Sequence, residues 1–420
     1  MLGLSTILRR FSLRDGRVWT AFFGTESWAG KPVTPDTAMQ IATFWACVRL
    51  IAQTIATLPL GLYERQADGG RTAATGHPLY SLLHDAPNAD QTAVEFWEAL
   101  TAHILVWGNA FAEIARSGER IVALNLLRPD LISVHRTEAG DLHYRFSDTN
   151  GVREYAEGDI FHVRGFGFGG DLGLSPVAQA RQTLGAAIAT DEAAARTFAN
   201  GMRPGGFFTY QAPDGKPATL TPEQREQARA KLIEPYTGSV NAGRIGILEG
   251  GFKWQDVTIP PKDAETLATR AFHIEEICRW FGVPPILVGH NPQGQTMWGS
   301  GIEQVMLGWL TLGLRPYLTR IEQAIKRRLI APAARATLYA EFTVEGLLRA
   351  DSTGRAEIYS KLMQVGGITP NQIADRENLP RFEGGDRRFV NSTLVPIELA
   401  GQRVGRVQPA PGEPIPEASS

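Results

Sequence analysis

Three stretches of this chain carry residue types at spacings that could do chemistry. The first is GFGFGG, where Gly165, Gly167 and Gly170 match G-x-G-x-x-G. A dinucleotide turn of that form follows a strand and opens a helix, and it needs an acid at the end of the next strand to hold the ribose. Asp191 and Glu192 lie at about the right separation of some twenty residues, yet they fall inside a stretch that reads as helix. No second parallel strand appears in the unit. The glycines read better as a flexible turn, and a nucleotide-binding enzyme built on them is the weaker reading.

The second is His273 with Glu275 and Glu276, which has no second histidine to complete a metal set. No HExxH, Walker A, G-x-S-x-G or Cys/His metal spacing occurs, so no enzyme, cofactor or metal is expected. Cys47 and Cys278 lie in apolar helical patterns and read as buried free thiols of a reducing compartment.

The third is GHNPQGQTMWGSG, residues 289–301, with four glycines, two glutamines and a tryptophan. It carries no formal charge if His290 is neutral, and it separates two stretches that read strongly as helix. Neutral amides offer hydrogen bonds that exchange readily with water, and the glycines permit movement.

The whole chain has 420 residues, 43% hydrophobic and 20% charged, with net charge −2. Tight nucleic-acid binders draw most of their affinity from phosphate neutralisation by basic residues. None is in excess here, so any such contact is weak or local. The start lacks the features of a signal peptide. The apolar stretch 41–63 is broken by Arg49 and Gln53 and falls short of a membrane span. The tail VQPAPGEPIPEASS reads as disordered.

The elements that must position these stretches follow from periodicity. Residues 37–60 read as one helix with Ile41, Phe44, Trp45, Val48, Ile51, Ile55 and Leu58 on its packed face. Strand LGLYER, a short helix at 77–88 and a helix at about 92–106 follow, and 119–166 reads as short strands. A long alanine-rich helix opens at Ser175-Pro176 and stops at Asn200-Gly201, spanning roughly 39 Å if unbroken. A β-α-β-β module comes next. Its helix is capped by Thr221 with Gln224, and a hairpin turns at Gly250-Gly251. Helix 261–282, the neutral loop, and a helix over 301–330 complete the pattern. Pro316 sits inside that last helix and predicts a kink near 312–316. Two long helices with little core of their own make sense when identical chains supply the missing packing, and a closed ring does so without an open edge. A non-viral ring or scaffold fits this much as well.

The chain resembles the HK97-type portal proteins of tailed bacteriophages and of gene transfer agents. The resemblance rests on the order and spacing of FWACVRLIAQTIATLPLGLYER, HPLYSLLHDAPN, GNAFAEI, DIFHVRGF with GLSPVAQAR, FANGMRPGGFF, ICRWFGVPPILVG, GIEQVMLGWLTLGLRPYLTRIEQAI and LLRADSTGRAEIYSKLMQVGGITPNQIA. It covers about residues 37–395. It implies an α+β portal-type subunit with an N-terminal arm at 1–36 and a wing at 37–174 that is completed by 301–344. Stem helices fall at 175–202 and 261–283, a clip at 203–260, a tunnel loop at 284–300, a crown at 345–395 and a tail at 396–420.

The resemblance also implies a ring of twelve copies at one capsid vertex, through which double-stranded DNA is packaged and ejected. The clip would dock the terminase large subunit and then the head–tail adaptor, and the stem region would meet the major capsid protein. Twelve helices about 10 Å wide give a circumference near 120 Å and a lumen of roughly 28 Å, enough for a duplex. The residues that would face DNA are His290, Asn291, Gln293, Gln295, Thr296, Met297 and Trp298. A plain helix–helix connector, with Trp298 packed beneath the wing, stays open as the alternative. The clip helix would offer Glu223, Arg225, Glu226, Arg229 and Lys231 to a partner ring, unless they are simply a solvated face.

Overall fold

The computed structural model describes residues 11–12, 26–67, 69–199, 206–210, 221–232, 252–256, 263–291, 300–344, 352–377 and 379–389. The chain divides into two units, 1–344 and 345–420.

The first unit opens with a break that the apolar spacing hid. Instead of one helix over 37–60 there are two, α1 (Pro35–Met39) and α2 (Ala42–Ala56). Thr34 and Thr37 form a reciprocal cap that starts α1 early, and Ile41 turns to extended backbone between the helices. Phe44, Cys47, Val48, Ile51 and Ile55 are buried, whereas Trp45, placed on the packed face by its spacing, is 49% exposed. Strands β2 (Leu60–Arg65) and β3 (Arg71–Ala73) follow, then α3 (Pro78–His84) and α4 (Ala93–Trp107). Thr92 and Glu95 box the start of α4, and Gly108 ends it in the left-handed conformation.

Trp97 of α4 is buried and donates from its indole nitrogen to the Leu83 carbonyl at 3.0 Å. Its ring meets Phe96, Phe161 and Phe342 edge-on at centroid separations of 5.0, 6.4 and 6.3 Å. One side chain thereby joins α4 to two strands that are distant in sequence.

Among the described residues every strand pairing is antiparallel. Strand β4 (Asn109–Ser117) lies between β5 (Arg120–Leu127) and β9 (Ile160–Arg164), with Phe111 opposite both Leu127 and His162. The strands β6 (Ile132–Arg136), β7 (Leu142–Asp148) and β8 (Gly151–Ala156) form a meander, and β1 (Phe11–Ser12) pairs with its edge. Alternating residues Ile132, Val134, Tyr144 and Phe146 pack with Phe111 and Leu127 into one core. Much later in the chain, β12 (Leu338–Phe342) pairs with β2 and brings the third long helix back onto the body.

The alanine-rich segment is a short helix, α5 (Pro176–Gln179), then α6 (Arg181–Ala199), with the change at Ala180. Ser175 caps it as its sequence position predicts, accepting from the Ala178 amide at 3.3 Å. Strands β10 (Gly206–Tyr210) and β11 (Phe252–Asp256) pair antiparallel, with α7 (Pro222–Leu232) between them in sequence. The further strand and the turn at Gly250-Gly251 lie outside the described residues. Helix α8 (Asp263–Phe281) is followed by a 3-10 turn at Pro285–Val288.

The third long helix is not uniformly α. α9 (Ser300–Gly308) passes into a π-helical segment, Trp309–Leu314, and then into α10 (Arg315–Arg328). Pro316 stands in the first turn of α10, where a missing amide costs least. Arg328, at the other end of α10, pairs with Glu157 just before β9. Its hydrogen bond holds the Glu157 carboxyl below the usual glutamate range, although partial burial acts the other way. A carboxylate lowered in this way stabilises the fold above its unfolded value, and the contribution is lost as pH falls through the folded value. Wild type should therefore lose stability faster than Glu157→Gln between about pH 5 and 3, read as urea midpoints at each pH. Parallel curves would exclude the linkage.

In the second unit, α11 (Ser352–Gln364) and α12 (Pro370–Arg376) are joined by a turn at Thr369, which boxes with Gln372. Tyr359 donates to Glu377 at 2.8 Å, and Asn371 holds both the amide and the carbonyl of Phe382.

Candidate functional site

The glycine turn is built to let backbones touch. Gly108 has φ +73°, and a Cβ there would stand 2.1 Å from the Leu174 carbonyl oxygen. A Cβ on Gly165 would stand 2.8 Å from the Gly108 oxygen, and one on Gly173 2.2 Å from the same atom. The Gly165 amide in turn donates to that oxygen at 2.8 Å. Arginines face the loop's own acceptors. Arg320 donates to the Gly165 carbonyl at 2.8 Å, Arg164 donates to that of Gly170, and Arg136 pairs with Asp171. Asp191 and Glu192 sit on α6, bound to Arg270 and to Lys31 and Arg196. The preceding sheet is antiparallel, so the dinucleotide reading loses its βαβ frame. The turn is also tightly held rather than flexible.

Beneath it runs a buried polar chain that periodicity does not reveal. The Asn109 side-chain oxygen accepts from the Gly173 amide at 2.8 Å and lies 3.1 Å from His162 Nε2. Already an acceptor, it requires His162 to carry its proton on Nε2. Nδ1 is then free to accept from the Tyr144 hydroxyl at 3.2 Å. Burial keeps the His162 pKa well below the ordinary value, so the ring stays neutral. The only local signal of this chain was the Gly-Asn pair that follows α4.

The helix pair α6 and α8 is packed at one end. Leu184, Ala187, Ile277, Cys278 and Phe281 are buried, and Phe281 meets Phe44 of α2 edge-on at 5.1 Å. None of the residues 188–196 or 268–276 is buried. Polar contacts there join Thr190 to His273 at 3.3 Å and Asp191 to Arg270 at 3.0 Å. His273 thus faces a hydroxyl on the neighbouring helix. Glu275 and Glu276 pair with Arg279 on their own helix.

A turn at 26–32 docks against α6, also unforeseen. The Trp28 amide donates to Gln182 at 2.8 Å, Lys31 pairs with Glu192, and Ser27 lies where a Gly185 side chain would stand. The Trp28 side chain on this turn is 92% exposed. Phe168 of the glycine turn is 88% exposed. The buried stripe of the third helix covers Trp309, Leu310, Leu314, Leu318, Ile321 and Ile325, while Ile302, Met306, Leu307 and Leu312 of its first half are exposed.

Of the residues expected to face DNA, His290 and Asn291 are described. The His290 amide donates to the Pro285 carbonyl at 3.0 Å, and its Nε2 lies 3.7 Å from a Glu275 oxygen, beyond hydrogen-bond reach. Asn291 is exposed. Gln293, Gln295, Thr296, Met297 and Trp298 lie outside the described residues. The loop therefore leaves from the well-packed base of α8 and returns at Ser300.

On α7 the predicted box is present, with the Gln224 amide donating to Thr221 Oγ1 at 3.3 Å and the Thr221 amide to Gln224 at 3.0 Å. Glu223, Arg225, Glu226 and Arg229 are exposed. Lys231 belongs to the helix, but its side chain lies outside the described residues.

An antiparallel α+β body thus carries a long helix pair that is anchored at one end. The Phage portal protein family model matches residues 42–378. The Portal protein of Enterobacteria phage HK97 is 36% identical over 371 residues, covering 88% of this chain and 86% of that one. The Probable portal protein of Streptomyces phage phiC31 is 30% identical over 390 residues, covering 88% and 83%. Among solved structures, a chain in the neck of an empty gene transfer agent particle, computed with C6 symmetry, superposes with TM-score 0.59 at 26% identity, covering 89% of this chain and 96% of that one. The chain belongs to the phage portal protein family.

Proposed function

We propose that copies of this chain close into a ring of twelve at one capsid vertex of a tailed phage or gene transfer agent, around a passage for double-stranded DNA. The observation that carries the ring is the α6–α8 pair, buried only at its base. A helix pair with no buried residue among 188–196 and 268–276 calls for neighbours. Trp28, Phe168, Leu307 and Leu312 offer the apolar surface for them. Six helices about 10 Å wide would leave no room for a duplex, whereas twelve leave a lumen of roughly 28 Å.

Within that ring the segment 290–298 lines the narrowest point, with neutral, exchangeable contacts that let DNA slide. The β10–α7–β11 module docks first the terminase large subunit and then the head–tail adaptor through Glu223, Arg225, Glu226, Arg229 and Lys231. The region of α6 and α8 meets the major capsid protein. The ring assembles in the bacterial cytoplasm and stays in the particle. No catalytic group, cofactor or metal takes part. Electron microscopy of the purified chain tests the core of this reading: end-on views should be rings with a central hole. A monodisperse monomer at micromolar concentration would overturn it.

A further inference from the structure

We propose that Cys47 and Cys278 are a reversible redox staple between α2 and α8. They are the chain's two cysteines, both wholly buried, and they are 231 residues apart in sequence. Their sulfurs nevertheless lie 3.9 Å apart. A disulfide needs about 2.05 Å, so about 1.9 Å of approach separates the dithiol from a bond. The two sulfurs sit on facing turns, one turn from the Phe44–Phe281 contact that anchors the base of the helix pair. Helix α8 ends just beyond, at Gly282 with φ +63°, where the Val283 amide donates to the Cys278 carbonyl at 3.0 Å. An open cavity of about 330 Å³ is bordered by Trp280, Phe281 and Gly282, which follow Cys278 in the chain.

The chemistry balances with a peroxide as oxidant. The Cys278 thiolate attacks one peroxide oxygen, the O–O bond breaks, hydroxide leaves, and Cys278 becomes a sulfenic acid. The Cys47 sulfur then attacks the Cys278 sulfur, the S–O bond breaks, and the Cys47 proton leaves with the oxygen as water. Two thiols are oxidised by two electrons and one peroxide is reduced. The order follows from the environment. The adjacent Cys278 sulfur and burial push the Cys47 thiol up, so Cys278 is the better first thiolate. The cross-link would fasten the base of α8 to α2. A chain exposed to both reducing and oxidising surroundings would be a dithiol in the first and stapled in the second. This inference does not depend on the portal reading.

The test uses the full chain, treated with hydrogen peroxide under native conditions, then denatured, alkylated and digested without reductant. The expected product is one peptide pair joining Cys47 to Cys278, released by dithiothreitol. Amide exchange over 277–283 should slow on oxidation and recover on reduction. In Cys47→Ser the pair is lost, and Cys278 should go on to sulfinic acid. If wild type returns the two cysteines as unlinked peptides, thiol or sulfinic, the staple is refuted. Linkage of like cysteines from two chains refutes it equally.

Discussion

Gly108→Ala should cost the fold at least about 3 kcal/mol, while Gly118→Ala costs about 1 kcal/mol. Both glycines have positive φ, +73° and +62°, so both substitutions force an L side chain into the left-handed region. They differ in what a Cβ would meet. At Gly118 nothing lies within 4 Å, whereas at Gly108 the Leu174 carbonyl oxygen is 2.1 Å away. That carbonyl cannot retreat cheaply. Its residue's amide is bonded to the Phe166 carbonyl at 2.7 Å, and the adjoining Gly173 amide is held by Asn109. Moving the turn breaks the buried Asn109–His162–Tyr144 chain and leaves polar groups without partners. Urea midpoints at one fixed protein concentration measure both variants, and equal costs would show that backbone contact at Gly108 is unimportant.

The second large effect concerns the loop proposed to line the passage. Replacing Gln293 and Gln295 by lysine should turn a sliding surface into a holding one. Each phosphate neutralised adds about 0.9 to the slope of log affinity against log salt. Engaging roughly three phosphates therefore makes binding fall about twentyfold between about 100 and 300 mM salt. Wild-type rings should hold DNA weakly, with little change over that range, and the lysine rings should package slowly at low salt and recover at high salt. Excising 291–298 should spare ring assembly and impair packaging or retention. Particles of normal yield and density from both variants would place the constriction elsewhere.

What could be read from sequence was mostly local. Ser175 with Pro176, and Thr221 with Gln224, announce helix starts because a cap is satisfied within one turn. Alternation in 132–136 and 142–148 announces strands, since the buried face follows the pleat. The misses depend on distant partners. Trp45 has the spacing of a core residue, and only its surroundings reveal that it is left half exposed. The Thr34 cap was overshadowed by the longer apolar run after it. The meeting of Cys47 with Cys278, and the docking of the 26–32 turn on α6, join residues more than a hundred positions apart, beyond any periodicity. The tunnel-loop residues were singled out by composition and position, which indicate suitability for a role and carry no geometry.

The π-helical segment at Trp309–Leu314 has a consequence for how one strip of sequence serves two surroundings. A π turn takes in one more residue than an α turn, so everything before it is rotated by roughly 100° relative to everything after. Leu314, Leu318, Ile321 and Ile325 point inward, while Leu307 and Leu312 look out. Across the phase slip Trp309, Leu310 and Leu314 stay on the buried side while Leu307 and Leu312 remain exposed. Restoring plain α winding by deleting a single residue there would swing Ile302, Met306 and Leu307 around the helix axis relative to Leu318 and Ile321.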